Sequence, residues 1–525
     1  MIKLIRWFKD YFYPPYSQNK NVIKGYKKLK KQKKEKFIKQ IKNDLSNLKV
    51  FSTNDQSSIF EIQIRQFLIS RLLGISFEKE MLSHIGSKNS FLYPLPATWR
   101  SQLKNYNISV SFFSGTYFKL FCIAWFIFGF ISSFSLFYES VKNSFIIPVQ
   151  SYKNYSFFSN LYDINFSNHK KKSLINNFID DGHIQRSETI IIDNRNVVRF
   201  ENHEHDIKYL RFPFLDRKSL FDHIEIGTKF AALFFYAIYL ALIGRIYYLL
   251  MFKFLAEDLF AKKSFQKNCP NFLFFHNTDY CFKPLWVYSA EKFGACSVLY
   301  YYSSNIISFD EYHHVGISIM NWNKILVWSI DQKKYLERAM QLKTILEIHS
   351  PLNFFYYESD QNPRSYFHKE KKNILIFDVQ PQRPLALSCL GFENNYYSYE
   401  NSKKFINEII LLNKNNEFHL IIKRKRNTIL ADKRYLNLIK NNSLASRITE
   451  ADPLHAPEDL IPFADLVISM PYTSTALVAR HLKKPSVFYD ATGSLTDSLY
   501  NDVEIISSQS SLESWMIDAV NNSDN

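Results

Sequence analysis

Three polar clusters in the C-terminal part of this chain each follow an apolar run of strand length. Asp378-Val-Gln-Pro-Gln-Arg383 follows Phe377, Lys423-Arg-Lys-Arg426 follows Leu420-Ile-Ile422, and Ser469 to Thr475 follows Leu466-Val-Ile468. Arginine offers a bidentate fork and lysine a point charge to a phosphate. Thr473-Ser474-Thr475 precedes Ala476, Leu477 and Ala479, which are good helix formers. A helix start lined with hydroxyls joins free backbone N–H groups to the positive end of the helix dipole, a setting suited to an anion. Asp378, Arg383, Lys423, Arg424, Arg426, Ser469, Thr473, Ser474 and Thr475 are therefore the expected residues of a nucleotide-phosphate site. A general base is sought elsewhere. Asp206 ends the dense cluster Glu201-Asn-His-Glu-His-Asp206, Asp181 sits in Asp180-Asp-Gly182, and His276 ends the apolar run Asn271-Phe-Leu-Phe-Phe275.

These residues need a scaffold that brings strand ends together. From about residue 271 apolar strands alternate with amphipathic helices. Strands are expected at 271–276, 297–302, 324–328 and 344–348, with helices at 285–293 and up to Leu336. A polar stretch with Asp360, Asn362 and Pro363 reads as a linker. A second series then runs through strands at 373–377, 418–423, 446–450, 466–468, 487–489 and 503–506, with helices at 402–413 and 433–441 and one at the C-terminal end, where Ser510-Ser-Leu-Glu513 has capping-box spacing. Such alternation implies parallel sheets covered by helices, and two series imply two Rossmann-like domains. Ligands of open parallel sheets sit at the carboxyl ends of the strands, which is where all three clusters fall.

The first half reads differently. Lys20 to Lys42 holds eleven lysines against one acid, Glu35, so this block carries +10 of the net +17. Before it, Ile2, Ile5, Phe8 and Phe12 share one helical face, the pattern of a helix lying in a membrane interface. The block suits an anionic lipid surface; no nucleic-acid motif accompanies it, and a nucleic-acid partner is not expected. Residues 50–105 read as helical. Leu120 to Tyr138 is uncharged, and Phe230 to Gly244 is uncharged until Arg245 interrupts a run that resumes to Phe252. Both approach the length of a bilayer span, and Arg245 counts against the second one crossing. Between them, residues 140–225 are polar with strand-like pieces such as Thr189-Ile-Ile-Ile-Asp193.

Several classes are excluded. No Gly-x-Gly-x-x-Gly or Walker loop occurs, which argues against dinucleotide enzymes and P-loop NTPases. No Asp-x-Asp pair is present to hold a metal-bound sugar nucleotide, and five scattered cysteines without a Cys-x-x-Cys pair argue against zinc and a disulfide framework. Neither a metal nor a cofactor is expected.

Ile376-Phe-Asp-Val-Gln-Pro-Gln-Arg383, Lys423-Arg-Lys-Arg426, Val467-Ile-Ser-Met-Pro-Tyr-Thr-Ser-Thr-Ala-Leu477 and Lys484-Pro-Ser-Val-Phe-Tyr-Asp490 together resemble GT-B-type glycosyltransferases of bacterial surface-polysaccharide biosynthesis, the enzymes of O-antigen and capsule. Tyr472-Thr-Ser-Thr475 also resembles the hydroxyl motif with which bacterial sialyltransferases hold the CMP phosphate, and Asp180-Asp-Gly182 is similar to their acidic motif. Their His-Pro dipeptide is replaced by Lys425-Arg426, which leaves CMP- and UDP-sugar donors both open. The resemblance implies a metal-independent transferase. It would move a sugar, with a nonulosonic acid one candidate, onto a glycan or lipid-linked acceptor at the cytoplasmic face of the inner membrane. The alternatives are a non-catalytic membrane-bound assembly protein and a nucleotide-sugar epimerase of the same fold.

The expected organisation is an amphipathic, basic membrane arm over 1–45 and an acceptor-side domain over 46–360 with hydrophobic helices at 120–138 and 230–252. A nucleotide-sugar-binding domain follows over 372–525. The fold class is α/β, two Rossmann-like domains of GT-B type behind a helical, partly membrane-associated N-terminal region.

Overall fold

The computed structural model describes residues 20–31, 37–48, 59–87, 89–143, 156–159, 185, 188–193, 208–211, 219–276, 282–301, 316–340, 344–349, 361–381, 395–415, 417–424, 431–495 and 503–523. Two parallel sheets organise it. The first has seven strands in the order β3-β2-β1-β4-β5-β6-β7: β1 (Ser156–Ser159), β2 (Thr189–Asp193), β3 (Lys208–Arg211), β4 (Phe272–His276), β5 (Cys296–Tyr300), β6 (Lys324–Val327) and β7 (Ile345–Ile348). The second has six in the order β10-β9-β8-β11-β12-β13: β8 (Lys372–Phe377), β9 (Phe418–Lys423), β10 (Thr449–Ala451), β11 (Leu466–Ser469), β12 (Ser486–Tyr489) and β13 (Ile505–Ile506). Among the described residues no strand pairing crosses from one sheet to the other. These are the two Rossmann-like units of GT-B type. β1 and β3 were not individually expected: four residues in a polar surrounding give too short an apolar signal, although β1 lies in the middle of its sheet, between β2 and β4.

Ahead of the first sheet stands a helical layer. It comprises α1 (Lys20–Lys31), α2 (Phe37–Asn47), α3 (Ile59–Leu72), α4 (Ile75–Ser87), α5 (Ala97–Asn105), α6 (Phe113–Asn143), α7 (Leu220–Leu242) and α8 (Tyr247–Lys267). One buried cluster joins them, from Val22 and Leu29 of α1 through Phe67 of α3 and Trp99 of α5 to Phe252 and Phe254 of α8. Burying each such large apolar side chain contributes about 1.5–3 kcal/mol. The described lysine-rich residues 20–47 are thus built into a core along one face rather than standing apart as an arm. The amphipathic stretch 2–12 lies outside the described residues.

The apolar stretch 230–252 differs from expectation. It is not one helix but the end of α7, a turn, and the start of α8. Gly244 adopts φ +93°, a left-handed conformation suited to glycine, and Arg245 falls in the turn. α3 is fastened to the first sheet's unit by polar groups. Gln66 donates to Ile319 O at 2.9 Å and accepts from Lys283 N–H at 3.2 Å, while Gln63 donates to Lys283 O. Lys283 itself is fully buried. Its ammonium bonds to Glu291 and to Asn321 O (2.7 Å) and lies 4.1 Å from the Tyr288 ring.

In the second unit, α11 (Tyr399–Leu412), α12 (Lys433–Leu444), α14 (Ser474–His481) and α15 (Gln509–Ser523) cover the sheet; α9 (Leu285–Lys292), α10 (Ile330–Ala339) and α13 (Pro457–Leu460) complete the set. Ser508, not Ser510, caps α15: its hydroxyl accepts from Ser511 N–H at 3.1 Å. A shared cluster holding Val298, Tyr300 and Trp328 from the first unit with Leu375, Phe377 and Val467 from the second connects the two.

Candidate functional site at the carboxyl edge of the second sheet

Strand order places a switch point between β8 and β11. The chain leaves β8 towards β9 and β10 on one side, and leaves β11 towards β12 and β13 on the other. Their registers align Phe377 with Ser469, so the segments after both strands emerge side by side. A ligand of an open parallel sheet is expected in the crevice such a reversal leaves.

The loop after β11 is tightly held. Met470 N–H donates to Phe377 O at 2.9 Å, and Val379 N–H points to the Met470 sulfur at 3.3 Å. Tyr397 O–H donates to Pro471 O at 2.9 Å. Tyr472 takes φ +62°, a left-handed conformation costly for a bulky residue, and its nearly buried ring lies 6.0 Å from that of Phe488. This turn leads from the carboxyl end of β11 directly into α14. The Ser469 and Thr475 hydroxyls are 3.3 Å apart, and Thr475 O–H donates to Thr473 Oγ1 at 3.2 Å. Thr473 occupies the cap position of α14 but makes no capping bond; its hydroxyl donates back to Met470 O at 3.0 Å. The expected hydroxyl group of Ser469, Thr473 and Thr475 is therefore assembled, and Ser474 opens the helix.

Beside it, Asp378 follows β8. Both carboxylate oxygens are buried, and among the described residues neither has a hydrogen-bond partner within bonding geometry. Burial pushes its pKa up to about 6, against the smaller opposing pulls of the nearby Tyr435 hydroxyl and the Arg424 guanidinium. Lys423 ends β9 and is nearly buried. Arg424 is ion-paired with Glu450 of β10, so it turns towards the strand on the side away from β11. The positive charge and the hydroxyl loop thus share the carboxyl edge, but Arg424 is engaged with the protein.

Asp490, which follows β12, was passed over in the sequence although it closes the same motif. It is fully buried and accepts from Tyr396 O–H (2.7 Å), Thr492 O–H (2.6 Å) and Leu495 N–H (2.8 Å). Burial works to raise its pKa, but the hydrogen bonds from Thr492 and Tyr396 outweigh it and hold the carboxyl below its usual value. An acid just after an apolar strand was the available signal.

Of the expected bases, His276 ends β4 at the carboxyl edge of the first sheet, where β1 and β4 form that sheet's own switch point. Asp181, Asp206, Arg383 and Arg426 lie outside the described residues.

No curated protein matches the chain in sequence. Solved structures similar to it include TarM, at 14% identity over 51% of this chain and 52% of that one with a TM-score of 0.31. They also include the wall teichoic acid polymerase TagF, at 11% over 75% and 90% with a TM-score of 0.34. Anabaena HepE in complex with UDP and glucose is similar at 11% over 70% and 89%, with a TM-score of 0.37. The chain spans about half the length of TarM. At these TM-scores the likenesses add nothing to what the two sheets show by themselves. The family model of polysaccharide biosynthesis PFTS motif proteins matches residues 232–516, more than half of the chain. The chain belongs to the polysaccharide biosynthesis PFTS motif family.

Proposed function

We propose that the chain is a glycosyltransferase using a nucleotide-sugar donor, with the donor's phosphate seated at the start of α14. One observation carries this reading: Thr473 leaves the first turn of α14 without its side-chain cap, at the switch point and among three hydroxyls. An uncapped helix start offers N–H donors and a positive dipole end to an anion. The same groups would stabilise the charge that grows on the departing phosphate. Lys423 and Arg424 would add a positive field at the edge, with Arg424 acting through its pair with Glu450. The acceptor, a surface glycan or its lipid-linked precursor, would approach from the first sheet. There His276, Asp181 or Asp206 would take the proton of the attacking hydroxyl.

The test is nucleotide binding by thermal shift and calorimetry with UDP, CDP and CMP compounds, on the intact chain and on Ser474→Ala. Loss of a hydrogen bond to a charged group should weaken binding by roughly 1.5–3 kcal/mol, about ten- to a hundredfold. A CMP preference would favour a nonulosonic acid donor and a UDP preference a neutral sugar. No binding of any of them at millimolar concentration would replace the reading with that of a non-catalytic assembly protein.

A further inference from the structure

α6 and α7 have the length and apolarity to cross a membrane, by composition alone. Their packing points elsewhere. They run antiparallel, with Phe137 beside His223 (6.4 Å between ring centres), Phe130 beside Phe230 (6.0 Å) and Phe126 beside Phe234 (5.4 Å). α8 lies against the same layer over its whole length. Phe118 meets Tyr247 (6.0 Å), Phe126 meets Phe252 (4.9 Å) and Phe137 meets Phe260 (6.2 Å).

α8 is not a membrane helix. It carries Lys253, Glu257, Asp258, Lys262 and Lys263. Lys253 sits against Gly129, midway along α6, and pairs with Glu257 at 3.6 Å. The far side of α8 is packed onto the body of the protein: Phe254 touches Phe282 (4.9 Å) and Phe67 of α3 (5.8 Å), and Phe265 lies beside Trp286 (6.0 Å). If α6 crossed a bilayer, α8 with its charges and the α/β unit behind it would be drawn into the hydrocarbon as well. Such a placement is excluded by the cost of buried charge and of water-soluble structure at that depth.

The opposite face of both helices is bare. Ile127 is 53% exposed, Phe134 56%, Phe235 68% and Leu242 82%, with Ile131 and Tyr239 between them. Large apolar side chains exposed along one face of two adjacent helices mark a contact surface rather than ordinary solvent-facing surface. On these helices and the turn that follows, Lys119 and Arg245 are exposed cations, while Lys229 is paired at 2.6 Å with Glu225, the partly exposed acid one turn before it. An apolar face with a cationic fringe complements a leaflet of anionic lipid.

We infer that α6 and α7 lie side by side in the plane of one anionic leaflet, sunk by their outer face, and do not cross it. The chain is then a monotopic protein whose α/β units stand on the membrane surface. This holds whether or not the donor reading does.

Depth measurement tests it on the full chain. A fluorescent amino acid is placed singly at exposed positions 120, 127 and 138 and bound to vesicles of phosphatidylcholine and phosphatidylglycerol, with quenchers carried at shallow or deep acyl positions. Residues 120 and 138 are about 27 Å apart along the helix, close to the hydrocarbon thickness of about 30 Å. The expected result is one shallow depth at all three positions. Deep quenching at 127 with shallow quenching at 120 and 138 would mean a span and overturn the inference. The absence of quenching at any position would also overturn it. In parallel, Ile127→Glu with Phe134→Glu alters only exposed side chains and should lower vesicle binding at least tenfold without changing the melting temperature of the lipid-free protein. Unchanged vesicle binding, or a lipid-free dimer that this pair of substitutions dissociates, would assign the face to a second copy of the chain and overturn it too.

Discussion

Asp378 and Tyr472 are both held in conditions their chemistry resists, one with its carboxylate buried and, among the described residues, without a hydrogen-bond partner, the other at positive φ. Such costs gather where a site must be pre-shaped. For Asp378 the consequence is a pH dependence. Its folded-state pKa, about 6, lies above the unfolded value near 4, so between those values the folded chain keeps a proton that the unfolded chain has lost. Stability contributed by this group falls as pH rises through that window, and the penalty persists at pH 7. Asp378→Asn should remove it. Urea unfolding should show a gain of up to about 3 kcal/mol at pH 7.5, from 1.36 kcal/mol per unit, and little gain at pH 4. A variant no more stable at pH 7.5 than at pH 4, relative to the parent, would count against the buried carboxylate. Tyr472 has a separate expectation. Its nearly buried ring packs on that of Phe488. Tyr472→Phe should cost no more than about 1.5 kcal/mol, whereas Tyr472→Ala should cost about 3–5 kcal/mol, both read from chemical denaturation.

α1 and α4 are the elements whose contact depends most on what is missing. A Cβ built on Gly25 would stand 1.9 Å from Leu82 O, and one on Gly86 would stand 2.0 Å from Asn21 O. Two glycines therefore let these backbones meet, as small residues do wherever helices cross closely. Two effects oppose each other in Gly25→Ala. Alanine favours the helix by about 1 kcal/mol, but overpacking against backbone that cannot turn aside costs about 1–3 kcal/mol. The clash should win. Hydrogen exchange over residues 20–31 should become faster in the variant while the strands of the second sheet keep their protection. Uniform protection across both regions would show that α1 adapts.

At the scale of the whole molecule, two sheets share one buried cluster, and a helical layer turns an apolar, cation-fringed face outward. Truncating residues 1–45 would not test the role of the lysines, because Val22, Leu29, Ile38 and Ile41 are core residues. Exposed Lys24, Lys27 and Lys28 of α1 give a cleaner experiment. Changing all three to Gln should weaken binding to vesicles with anionic lipid by up to about 1 kcal/mol per lysine at low salt, and the difference should shrink at high salt as screening grows. Binding of the parent at high salt should persist through the apolar face. Equal salt dependence of parent and variant would remove α1 from the membrane contact.

Periodicity alone was enough to expect most of the second unit. The runs 373–377, 418–423 and 466–468 match β8, β9 and β11 closely, because buried parallel strands must be continuously apolar and the helices between them amphipathic. The Pro471-Tyr-Thr-Ser474 turn was legible too, since small hydroxylated residues after a strand and before good helix formers leave few other roles. Strand order was not legible, and with it the switch point, because pairing joins residues distant in the chain: Phe377 meets Ser469. Nor could the sequence say that Thr473 turns back to Met470 O instead of capping α14, or that Arg424 is claimed by Glu450. Both are choices among nearby partners that only three-dimensional placement decides. The apolar run 230–252 is the plainest case. Composition records how much apolar surface α7 and α8 carry, while the fold decides which face the protein covers. It covers α8 on both sides and leaves α6 and α7 half bare.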